Sequence, residues 1–143
     1  MDTTPSIIYN DLAEGMTREH DYVITPVVYE SFLRAFDDRS PLHVDSVYAR
    51  QSGFDGPVMH GGILNGFVSH FVGMVWPGRN SLLLSVELRY SRPTYLGDHL
   101  RLHARLAQKL DAQQVVVLHL NIFNQTRNEL AATGRAQVKV RAS

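Results

Sequence analysis

The chain has 143 residues, enough for one domain and short for two. Fourteen basic residues balance fourteen acidic ones, so the long-range positive field of a nucleic-acid binder is missing and no nucleic-acid partner is expected. There is no Cys, which excludes disulfides, thiolate-bound zinc and a thiol nucleophile.

The first twenty residues carry Asp2, Asp11, Glu14 and Glu19 and no apolar run, so no secretory signal is expected. The most apolar stretch, Ile63 to Trp76, holds Asn65, Ser69 and His70 and is shorter than the ~20 residues of a membrane span. A cytoplasmic location without membrane contact follows as the expectation. No repeat or linker divides residues 1–143, and residues 1–15 are expected to form a loose N-terminal arm.

A first strand is predicted over Thr17–Thr25. Thr25-Pro26 is then a helix start: a hydroxyl cap followed by proline at the first helical position. The helix carries Val27, Val28, Phe32, Leu33 and Phe36 and stops near Asp37. Residues 38–45 are predicted as a loop, with Asp45 capping a short helix through Tyr48, Ala49 and Arg50. Gly53, Gly56 and Pro57 mark another loop.

From His60 to Trp76 apolar residues recur at 63, 64, 67, 68, 71, 72, 75 and 76, the spacing of a helix with a wide apolar face. Such a helix is mostly buried. Gly62, Gly66, Ser69 and Gly73 form a small-residue stripe along it, expected to be a packing groove rather than a substrate tunnel.

Four strands are predicted over Ser81–Arg92, Asp98–Leu106, Gln113–Phe123 and Leu130–Val140. In the first, Leu82, Leu84, Val86, Leu88 and Tyr90 are expected on one face. Period two with one polar face describes antiparallel strands covered on one side. Strand, helices and then four strands give an α+β class: one buried helix against a curved antiparallel sheet.

The densest polar cluster runs from Asp37 to Asp45, followed by Pro57-Val58-Met59-His60-Gly61-Gly62. Asp38 and His43 on one proline-restricted loop suit an acid/base pair. The start of the following helix offers free N–H groups to a developing oxyanion. The plainer reading stays open: Asp38 ends a helix or caps a turn, and His43 is a loop histidine. His60 is expected to lead into the helix rather than transfer protons. His70 is expected to be a hydrogen-bonded core histidine. His99 and His103 fall on the polar face of a strand, so no metal site is expected from them.

Asp38-Arg39-Ser40-Pro41-Leu42-His43, followed by Pro57-Val58-Met59-His60-Gly61, resembles the signature of the MaoC-like (R)-specific enoyl-CoA hydratases and dehydratases. Arg92-Pro93-Thr94-Tyr95-Leu96-Gly97-Asp98 resembles that family's turn between strands. The resemblance implies the hot-dog fold, a long central helix wrapped by an antiparallel sheet. It implies that Asp38 and His43 hold and activate water, and that the Gly61 N–H faces the thioester carbonyl. Ser40, Pro41 and His60 would support the loop, and Gly62 and Gly66 would border the acyl pocket. Ser40 stands where many members have Asn, and Gly66 where some have Ser.

The implied substrate is an acyl-CoA, or an acyl-carrier-protein thioester, with no metal and no redox cofactor. A homodimer or higher homo-oligomer is implied as well. Arg79, Arg89, Arg92, Arg101 and Arg105 are candidates for the carrier's phosphates. Tyr29, Phe32, Phe36 and Phe54 are candidates for the acyl pocket or the core. Three alternatives stand beside hydration: a hot-dog thioesterase, a non-catalytic acyl-thioester-binding subunit, and a dehydratase running the same chemistry in reverse. A thioesterase would need a carboxylate on the buried helix, and residues 60–76 contain none.

Overall fold

A computed structural model describes residues 1–142. The chain runs through β1 (Thr17–Val23), α1 (Pro26–Phe36), α2 (Pro41–Val44), α3 (Ser46–Gln51) and α4 (Gly61–His70). It continues through β2 (Ser81–Tyr90), β3 (His99–Leu110), β4 (Val115–Asn124) and β5 (Glu129–Val140). All pairings are antiparallel, in the order β1-β3-β4-β5-β2.

Local chemistry sets the helix limits. The Thr25 hydroxyl accepts the Val28 N–H at 3.1 Å, and Pro26 opens α1. Asp37 takes a left-handed conformation (φ 52°) and donates its N–H to the Leu33 carbonyl, which stops α1. Pro41 opens the single turn of α2 inside the segment expected to be a loop. Asp45 caps α3 as expected, its carboxylate accepting from the Val47 and Tyr48 N–H groups.

The apolar face of α4 lies on the inner face of the sheet. Ile63, Leu64 and Val68 pack with Leu100, Leu102, Leu118, Leu120, Ile122, Ala132 and Val138, all buried. The helix is shorter than its apolar pattern: at Phe71 it passes into a π-helical turn, Phe71–Val75, that carries Phe71 and Val72 into the core.

The N-terminal segment is docked rather than loose. Tyr9 and Leu12 belong to the core, and the Tyr9 N–H donates to the Arg141 carbonyl. In β2 the expected face is wrong at its start. The register shifts between Leu83 and Ser85, so Leu84 is a bulged residue; Leu83, Val86 and Leu88 turn inward. Leu82 and Leu84 are left 62% and 49% exposed on an edge strand.

Candidate active site

α1 ends at the edge of the cluster, so Asp38 follows directly from the left-handed Asp37. The Asp38 carboxylate is exposed and accepts the Ser40 N–H at 3.3 Å. Pro41 starts α2, and the His43 N–H closes its turn on the Ser40 carbonyl at 2.8 Å. The Ser40 hydroxyl makes no capping bond, so its backbone does the pinning.

His43 is half-buried and fixed from two sides. Its Nδ1 lies 2.6 Å from the Val58 carbonyl oxygen. A carbonyl only accepts, so Nδ1 carries the proton and Nε2 is the basic nitrogen. The Tyr29 hydroxyl donates to the His43 carbonyl at 2.6 Å, and burial raises the Tyr29 pKa. The Val58 N–H donates to the Leu42 carbonyl at 3.0 Å, tying the Pro57–His60 segment to α2.

His60 does more than lead into the helix. It is 3% exposed, and its ring stacks on His43 with centroids 4.0 Å apart. Nε2–H donates to the Asp38 backbone carbonyl at 2.8 Å, while Nδ1 is buried without a partner. Phe32 covers its surroundings from α1, with ring centroids 4.6 Å apart. One potential ligand atom from each of Asp38, His43 and His60 lies within 4.8 Å of the others. Stacked imidazoles direct their in-plane lone pairs side by side and not onto one point, so the trio suits proton transfer better than metal binding.

Gly61 begins α4, whose N-cap residue supplies no side-chain bond. The first N–H groups of a helix have no intrahelical acceptor, so the Gly61 N–H has no partner within α4. A Cβ at Gly61 would lie 2.8 Å from the Tyr90 ring, and the Tyr90 hydroxyl donates to Asn65. A cavity of about 290 Å³ adjoins these groups. His43, Phe54, Gly61, Leu64, Tyr90 and Arg92 are among its walls.

The remaining expectations fall as follows. Gly62 and Gly66 do not line this cavity: Gly62 faces the Phe32 ring and Gly66 faces open space. Phe54 does line it, and Phe36 is exposed. Of the five arginines only Arg92 borders it; Arg79 pairs with Asp2 and Arg101 with Asp21. Arg89 and Arg105 lie on the outer face of the sheet. His70 is exposed rather than buried, and bonds the Tyr22 hydroxyl at 2.9 Å. Sequence reading missed the Val58 carbonyl, the Tyr29 hydroxyl and the Tyr90 ring as parts of the site.

Residues 10–124 match the family described as "MaoC like domain". The chain belongs to this family. The (R)-specific enoyl-CoA hydratase of Aeromonas caviae is 30% identical over 110 residues, 77% of this chain and 81% of that protein. The 3-hydroxybutyryl-CoA dehydratase of Methylorubrum extorquens is 24% identical over 134 residues, 94% of this chain and 84% of that protein. The unliganded R-hydratase PhaJ1 of Pseudomonas aeruginosa superposes with a TM-score of 0.88 at 27% identity, covering 99% of this chain and 90% of that one. The fold of this MaoC-like chain is the expected hot dog, and its Asp38–His43 segment and Gly61 lie inside the matched region.

Proposed function

We propose that this MaoC-like chain adds water reversibly to a trans-2-enoyl-CoA, giving an (R)-3-hydroxyacyl-CoA, with Asp38 and His43 as the acid/base pair. The observation that carries the reading is the His43 tautomer. Its Nδ1–H is spent on the Val58 carbonyl, which leaves a basic Nε2 in the same cluster as the Asp38 carboxylate. The relatives named as hydratase and dehydratase support the same chemistry in both directions.

The thioester carbonyl accepts from the Gly61 N–H at the positive end of α4. Water held by Asp38 and His43 gives its proton to the pair as its oxygen bonds C3. The C2–C3 π electrons move to the carbonyl oxygen as an enolate. The pair then returns a proton to C2. One proton leaves water and one arrives at C2, so the pair ends as it began. No oxidation state changes overall, so the reaction calls for no redox cofactor. The two groups act as a coupled pair rather than as one fixed base and one fixed acid.

The reading includes a cytoplasmic homodimer. β2 is an open sheet edge with Leu82 and Leu84 exposed, and apolar residues on an unpaired edge favour a second copy there. No helix among the described residues is long and apolar enough to cross a membrane.

The test follows the loss of the enoyl-thioester absorbance with crotonyl-CoA and longer trans-2-enoyl-CoAs. Asp38→Asn and His43→Ala should each lower kcat by about 10²–10⁴-fold with the thermal midpoint unchanged. Near-wild-type turnover in either variant overturns the assignment. Release of free thiol would identify a thioesterase instead.

A further inference from the structure

A second concavity, of about 720 Å³, lies on the face of the sheet turned away from α4. Its chemistry differs from that of the catalytic cavity. Arg105, His119, Arg135 and Glu87 stand directly opposite one another on β3, β4, β5 and β2. His103, Asn121, Thr133 and Arg89 form a second row across the same strands. Each row spans about 14 Å, and the rows lie about 7 Å apart.

The charge here is lopsided in a chain of zero net charge. Glu87 is the one acid among the lining residues, and it is held by Arg135 at 3.3 Å. Among the described residues, Arg89 and Arg105 pair with no carboxylate. Arg105 Nη2 lies 3.2 Å from His119 Nδ1. A guanidinium only donates, so Nδ1 accepts and neutral His119 holds its proton on Nε2.

A face built only for solvation mixes its signs. Here Arg89, Arg105 and Arg135 share the face with one carboxylate, Glu87, and a bound anion would balance the excess. No Phe, Tyr or Trp lines the groove; its rings are the His103 and His119 imidazoles. Its cations lie on separate strands, which suits an anion with several charges.

We propose that this groove binds a small anion carrying two or more phosphate groups. Anion binding at this site is independent of the hydration reading; the comparison of thioester substrates below rests on it. Two sources share the chemistry: the nucleotide end of a coenzyme A thioester, or a separate polyphosphate. Edge strand β2 separates the two concavities, Tyr90 lining the catalytic one and Arg89 the groove.

The experiment is calorimetric titration of the whole protein with inorganic pyrophosphate, tripolyphosphate and adenosine 3′,5′-bisphosphate. Wild type, Arg105→Gln and Arg89→Gln are compared at low and high salt. Saturable binding should weaken about tenfold or more in each variant and also with salt. Crotonyl-CoA and crotonyl-pantetheine then separate the sources. A KM that rises for the CoA ester alone assigns the groove to the substrate's nucleotide end. An unchanged KM with lost pyrophosphate binding assigns it to a separate ligand. Absence of saturable binding at millimolar anion, or equal binding by wild type and both variants, overturns the proposal and leaves a solvated face.

Discussion

The His60 imidazole stacks on His43 at 4.0 Å while its Nε2–H holds the backbone carbonyl of Asp38. One buried ring therefore touches both members of the acid/base pair without being one of them. It fixes the plane of His43 and the path of the chain at Asp38.

Replacing His60 should separate these two contacts. His60→Phe keeps a stacked ring and loses the donor; His60→Gln keeps an amide donor and loses the stack. Misplacement of a catalytic group by about 1 Å can cost roughly 10²-fold in rate. Both variants should lower kcat with little change in KM, and His60→Ala should fall furthest. Steady-state kinetics with crotonyl-CoA over a range of pH checks this. A purely structural role would lower the thermal midpoint and leave the pH profile of the surviving activity unmoved.

Gly61 and Tyr90 form a second coupled pair. Gly61→Ala sets a methyl group 2.8 Å from the Tyr90 ring, which the Tyr90–Asn65 hydrogen bond restrains. Overpacking of this kind costs about 1–3 kcal/mol. The single variant should lose stability and activity, since the Gly61 N–H moves with the helix start. Gly61→Ala combined with Tyr90→Ala should recover much of the stability. Urea denaturation of both singles and the double variant gives the coupling energy; additive losses would contradict the contact.

The turn after Pro93 is held by a buried carboxylate. Asp98 accepts from the Tyr95 N–H at 2.9 Å and the Asn124 amide at 2.7 Å. Arg127 links it to Asp55, beside the cavity-lining Phe54, and lies over the Tyr95 ring at 3.9 Å. Asp98→Ala leaves the buried Asn124 amide unpaired, at about 1–3 kcal/mol, and frees the half-buried Tyr95 N–H as well. Arg127→Ala should cost less, because its hydrogen-bonded partner Asp55 is exposed and Asp98 keeps its bonds from Tyr95 and Asn124. Equal urea midpoints for Asp98→Ala and wild type would contradict this ranking.

Much of this was legible in the residues, and the gaps have physical causes. Thr25-Pro26 and Asp45 mark helix starts because capping is local chemistry. The strands of β3 to β5 show in their alternation because the core is one-sided. The start of β2 was not legible, since a bulge at Leu84 leaves composition unchanged while placing Leu82 on the face opposite Val86 and Leu88. Asp38 and His43 stood out by type and spacing. Val58 and Tyr29 did not, because one contributes a backbone carbonyl and the other reaches His43 from α1. The resemblance implied Gly66 as a border of the pocket, but the rotation of α4 turns it to open space.

Tyr9 ties the N-terminal segment to the fold's response to alkali. Its ring is buried, its hydroxyl donates to Asp111 at 2.7 Å, and Lys109 Nζ lies 4.2 Å from the ring centroid. Burial, then the bond to Asp111, pushes its pKa up to about 12 from an ordinary 10.0. A pKa raised on folding means that the unfolded chain loses this proton first. The stabilisation is therefore whole below about pH 10 and is lost as pH rises through about 12. Urea midpoints of wild type should hold to about pH 10 and then fall. Tyr9→Phe should begin less stable but decline less steeply over that window. Parallel declines in the two proteins would show that Tyr9 is not the group responsible.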